Sequence, residues 1–182
     1  NSALEIRRKI HGEKHPDVAS NYGNIGAIYF DNGDYDKAVE LFNTVLLILT
    51  KIHGENHPDV ASGYNAIGDV FRERGDYEKA LEYAFKALQI RERIFGGKDH
   101  QVATSFINIG IIFDIKGNYT KALEYYFQAL SIYKEIHGEK HPSIAVCYTD
   151  IGVVYEEKEE YDKALVYFLM SLLIKMDFYG EN

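Results

Sequence analysis

The chain repeats itself every 42 residues, from Gly26 to Gly68, Gly110 and Gly152, and again from Ala38 to Ala80, Ala122 and Ala164. The four copies run without an insertion or a deletion. A strict period of this length makes each copy one supersecondary unit, and such a unit buries its apolar side only against the next. Within the first copy, Tyr22, Ile25, Gly26 and Tyr29 share one helical face, and Ala38, Leu41, Phe42, Val45 and Ile48 or Leu49 share another. The spacing predicts two helices per copy and an all-α chain. Between them lies "NGDY", with Gly33 suited to a left-handed turn and Asp34 to an N-cap. "RGDY" and "KGNY" repeat that hinge, while the fourth copy reads "KEEY" and puts Glu159 in the glycine position, which predicts strain there.

A second phrase joins copy to copy. "HGEKHPDVA" begins at His11 and returns from His53 and His137, with a worn version, "FGGKDHQVA", at Phe95. Pro16, Pro58 and Pro142 suit a first helical turn, and Gly12, Gly54 and Gly138 suit the end of the helix before. Histidines four apart resemble metal ligands, but a shared helical face is impossible across Gly and Pro, and each joint offers only two. The pairs His11/His15, His53/His57 and His137/His141 are therefore read as joints, with no metal and no cofactor.

Charge and cysteine count exclude several classes of function. The 182 residues carry a net charge of −8, which disfavours a nucleic-acid partner. No apolar run reaches the ~18 residues of a membrane span. The single cysteine, Cys147, excludes an internal disulfide framework and fits a reducing, cytoplasmic setting. It occupies a slot filled elsewhere by Asn21, Gly63 and Ser105, and no histidine stands near it on its own helix, so nothing points to catalysis. "NYT" at Asn118 matches a glycosylation acceptor and is read as chance.

Counting from Ala19, Ala61, Ala103 and Ala145, the recurring aromatic, Ile, Gly, aromatic, Tyr and Ala positions resemble the tetratricopeptide repeat. In the first copy they are Tyr22, Ile25, Gly26, Tyr29, Tyr35 and Ala38, followed by Phe42 and Val45. The period and the "ALxIR…G…HPxVA" phrase are similar to the long-helix variant of kinesin light chains, although "YGNIG" and its counterparts depart from that family's wording. Ala84 also departs, standing where Phe42, Tyr126 and Phe168 stand, so a neighbour such as Phe85 must fill the gap or leave a cavity. The resemblance implies a right-handed α-solenoid of antiparallel helix pairs, a single array over 1–182 with repeats at 16–57, 58–99, 100–141 and 142–182. Residues 1–10 are then the end of a preceding second helix. Small residues at Gly26, Gly68, Gly110 and Gly152 are expected to let helix backbones approach.

The resemblance further implies a concave groove lined by first helices. Carried over position by position, the candidate binding residues are Asn24, Phe30, Asn65, Asp69, Arg72, Ile107, Asn108, Ile111, Asp114, Ile115, Asp150 and Val153. Seven acids (Asp31, Asp69, Glu73, Asp114, Asp150, Glu156, Glu157) face one base, Arg72. That field suits a basic or apolar peptide rather than an acidic one, or simply solvates an open face. Asn24, Asn65 and Asn108 either hold a peptide backbone or bond water and the adjacent helix. Ile107, Ile111 and Ile115 seat an apolar anchor or pack against the fourth copy. The expected role is a non-catalytic scaffold binding a partner peptide or helix. A kinesin-light-chain-type cargo adaptor and a regulatory region of a larger protein are the alternatives. Uncovered apolar residues in "YFLMSLLIKMDFYGEN" point to further repeats, or to head-to-tail self-association.

Overall fold

The computed structural model describes residues 15–180, so the expectation for residues 1–10, and His11 and Gly12, lie outside the described residues. Among the described residues there are eight helices and no strand: α1 (Pro16–Asp31), α2 (Tyr35–His53), α3 (Pro58–Glu73), α4 (Tyr77–Phe95), α5 (His100–Ile115), α6 (Tyr119–His137), α7 (Pro142–Glu157) and α8 (Tyr161–Tyr179). None of them is long and apolar enough to cross a membrane. The chain divides into two compact units that part between Ile94 and Phe95.

In the first unit α1 packs on α2 and α2 on α3. Val18, Ala19 and Ile48 form one core cluster with Tyr22, Val45 and Leu49, and Val60, Ala61, Ala87 and Ile90 form the next with Leu46 and Tyr64. In the second unit α5 packs on α6, α6 on α7 and α7 on α8. Ala38, Ala80, Ala122 and Ala164 are all buried, so each second helix presents its alanine to the inside as expected. On α8 the leucines stay uncovered: Leu165, Leu169 and Leu172 are exposed, whereas Leu130, one period before Leu172, is buried.

Three-residue turns close each hairpin. Gly33, Gly75 and Gly117 lie at φ 76°, 84° and 72°, and Asp34 donates its backbone N–H to Tyr29 O at 2.8 Å, completing a Schellman-type stop. Glu159 adopts the same conformation at φ 59°, where a Cβ is unfavourable, so the strain read from "KEEY" is present. Asp34 makes no side-chain cap. Its carboxylate holds Lys37 at 2.6 Å instead.

The repeat glycines do something other than expected. An added Cβ would come within 2.9 Å of the Phe42 ring at Gly26, 2.5 Å of Tyr126 at Gly110 and 2.7 Å of Phe168 at Gly152. The glycine admits an aromatic ring, not a backbone, in three copies. Only Gly68 meets backbone, 3.4 Å from Ala80 O, because Ala84 supplies no ring there. The helices close the gap themselves, and Phe85, 39% exposed, does not fill it.

Candidate functional site

The histidine phrase is a capping device. His15, His57 and His141 are the N-caps of α1, α3 and α7, each accepting through Nδ1 the backbone N–H two residues on, at 3.2 Å. In the worn joint Asp99 takes that part, accepting from Gln101 N at 2.8 Å. An imidazole nitrogen and a carboxylate oxygen are equivalent acceptors here, which explains the exchange. A polar pair then ties each joint to the following second helix: Arg93 to Asn56 at 2.7 Å, Lys98 to Glu135 at 2.6 Å and Lys140 to Asp177 at 2.8 Å.

Gly and Pro do break the helix, yet the rings still meet. His53 stacks on His57 and His137 on His141, each pair with centroids 4.0 Å apart, because the left-handed glycine folds the cap back over the last helical residue. His53, His57 and Asp59 bring their ligand atoms within 4.8 Å of one another. Rings only 11° from parallel aim their lone pairs side by side rather than at one point, and His57 Nδ1 already caps α3. The arrangement fits a joint better than a cation. His141 is harder to protonate than an ordinary histidine, through burial first and then His137 and His100.

On the first unit, Asn24 is exposed and has no hydrogen-bond partner among the described residues. It borders a depression of about 480 Å³ lined also by Ser20, Ser62, Ala66, Phe42 and Val45. Phe30 is half-buried, its ring 6.1 Å from Tyr35. Asn65 and Arg72 are engaged internally. The Asn65 amide, with its oxygen turned to Arg91, accepts from both guanidinium nitrogens at 2.8 and 3.0 Å. Arg72 pairs with Glu73 at 3.0 Å and Asp69 at 3.5 Å. Burial, then Glu73, raises the Asp69 carboxyl, with Arg72 opposing.

The second unit differs. Ile107 and Ile111 are half-buried, while Ile115 and Val153 are 51% and 37% exposed, so the ridge is partly uncovered in the folded unit. Asn108 is half-buried and makes no hydrogen bond among the described residues. Asp114, Ile115, Val153 and Glu157 line a depression of about 320 Å³. Burial and then Glu157 raise the Asp114 carboxyl. Burial, then Asp114, pushes Asp150 up to about 6, with Lys175 opposing. The Lys175 ammonium donates to Thr149 Oγ1 at 3.4 Å, and Thr149 shares a 2.8 Å hydrogen bond with Ser171. Cys147 is fully buried and its thiol is pushed up to about 12, far from a nucleophile's range.

Reading only first-helix positions missed what the second helices contribute. Arg91 and Lys175 stand 84 residues apart in the same register and reach Asn65 and Thr149, themselves 84 apart. A basic residue recurring at that position was the available signal. A larger depression, about 610 Å³, was also missed; Tyr148, Tyr155, Tyr167, Phe127, Lys134 and Lys163 contribute to its lining. There Lys134 lies over the Tyr148 ring and Lys163 over Tyr155.

The family model for the tetratricopeptide repeat matches residues 1–46, 17–92, 74–135 and 115–175. No curated protein matches the chain. Among solved structures, BtubC (BKLC) from P. vanneervenii is similar over 100% of this chain and 72% of its own, at 24% identity and a TM-score of 0.83. A kinesin-light-chain-like protein of Podosopora anserina with nearly identical TPR-like repeats is similar over 98% of this chain and 84% of its own, at 18% identity and a TM-score of 0.80. The apo form of RapI is similar over 97% of this chain and 48% of its own, at 22% identity and a TM-score of 0.76. At these identities the likeness shows the fold, a solenoid of stacked helix pairs.

Proposed function

Since the chain belongs to the tetratricopeptide repeat family, we propose that it is a non-catalytic scaffold holding a partner peptide or helix against its first helices. The observation that carries this reading is the partly uncovered ridge of Ile107, Ile111 and Ile115 beside the unengaged amide of Asn108. An apolar ridge next to a free donor and acceptor is what an extended or helical segment needs: a seat for a side chain and a partner for its backbone. Asn24 offers the same amide on the first unit. Asn65 is a weaker candidate, because Arg91 takes its oxygen.

The preferred partner is basic or apolar. Asp114, Asp150, Glu156 and Glu157 on α5 and α7 repel acids, and Arg72 is already paired. A peptide array probed with the chain at two salt concentrations tests this. Basic and apolar peptides are expected to bind, the basic ones less at high salt. Ile111→Ser and Asn108→Ala should each weaken capture by about ten-fold. Equal binding by both variants would remove the assignment.

A further inference from the structure

The two units build the same spot from different chemistry. Where the first unit has Phe30 on α1, Ala66 on α3 and Phe42 on α2, the second has Asp114 on α5, Asp150 on α7 and Tyr126 on α6, each 84 residues later. Hairpin packing works with the apolar set, so the fold does not require the polar one. The polar set also costs stability. Asp114 Oδ1 and Asp150 Oδ2 are shut off from solvent and have no hydrogen-bond partner among the described residues. Tyr126 is 1% exposed, and burial keeps its hydroxyl protonated. The ring is pinned under Gly110, one turn before Asp114, and the charges of Asp150 and Asp114 both act on the hydroxyl. Other charges near the spot are Glu157, which adds to the negative field, and Lys175, whose hydrogen bond goes to Thr149.

We propose that this spot seats one cationic side chain of the partner, a lysine or an arginine. The proposal deepens the groove-binding reading and rests on it. Two carboxylate oxygens are acceptors waiting for N–H groups, and an ammonium or guanidinium brings several N–H groups with a positive charge. The depression beside Asp114 is lined by Ile115 and Val153, which would cover an aliphatic stem, and by Asp114 and Glu157, which would meet its charged head. Asp150 adds its charge to the field on Asp114's side. A neutral or acidic side chain leaves the carboxylates uncompensated. The corresponding positions on the first unit, Phe30, Ala66 and Phe42, carry no charge to meet a cation.

Capped seven-residue peptides with one central lysine between leucines, titrated into the isotope-labelled chain and followed through side-chain carboxyl signals, test this. Matched peptides carry arginine or acetyl-lysine at the centre. The lysine or arginine peptide, or both, should shift the Asp114 and Asp150 signals and move the Asp150 titration down from near 6. The acetyl-lysine peptide should bind about ten-fold more weakly or worse. Asp114→Asn with Asp150→Asn should cost the cationic peptide the same factor and the acetylated one nothing. These variants remove charge from a repulsive pair, so the chain should still fold. If acetylation makes no difference while Ile111 and Asn108 still respond, the cation seat is wrong and the groove reading stands. If no peptide perturbs any first-helix residue, both readings fall.

Discussion

At one register the first unit is apolar, while the second is acidic and leaves buried carboxylate oxygens without partners. In the first, Phe30, Ala66 and Phe42 occupy these positions, and the basic residues Arg72 and Arg91 pair with Asp69, Glu73 and Asn65, although the buried Arg72 Nε makes no hydrogen bond among the described residues. In the second, Asp114 and Asp150 keep oxygens without partners above the buried Tyr126, and Lys175, which opposes the Asp150 shift, bonds Thr149. The period decides where a side chain goes; its chemistry decides what that place costs. The same repeat register carries both solutions, so folding into hairpins does not by itself require the costly one.

The largest expected effect separates the ring of Tyr126 from its hydroxyl. Tyr126→Ala empties a fully buried site under Gly110 and should cost about 3–5 kcal/mol in urea unfolding. Tyr126→Phe copies Phe42 and should leave stability within about 1 kcal/mol. A large loss in the Phe variant would mean that the hydroxyl is part of the packing after all.

Asp150→Asn sharpens the comparison by removing charge alone. Asp150 titrates higher in the folded chain than the usual 3.8, so its contribution is fully present below pH 4 and is lost as pH rises through 6. The Asn variant should therefore gain about 1–2 kcal/mol over the parent at pH 7 and lose that advantage towards pH 4. Thermal melts at the two pH values check it, and a pH-independent difference would contradict the burial of this carboxyl.

The smallest effect lies at the hinges. Glu159→Gly gives the fourth hairpin the turn residue of the other three and should stabilise by about 1 kcal/mol. Glu160 takes ion pairs from Lys158 and Lys163 beside it, and their loss in the same melt would mask the gain.

The helix pairs and the joint glycines Gly54 and Gly138 were legible because each is a local matter of apolar spacing, φ and a missing N–H. Asp99 in place of a histidine was visible in the register, but its reason, a shared capping acceptor, appeared only with α5 in place. The stacking of His53 on His57 was not legible, since it depends on how far Gly54 turns the chain. The candidate site was half legible. First-helix positions came with the repeat, whereas Arg91, Lys175 and Tyr126 arrive from second helices whose reach depends on packing. Phe85 shows the same limit: a missing ring at Ala84 looked like a hole to be filled, and the helices moved together instead.

By itself, the amino-acid order determined that this chain is a row of helical hairpins, because a 42-residue period with apolar residues at helical spacing admits no other way to bury them. Tertiary structure alone decided which polar groups find partners. Hydrogen bonding and burial depend on distances between helices, and those distances are set by what lies beneath each glycine, ring in three hairpins and backbone in one.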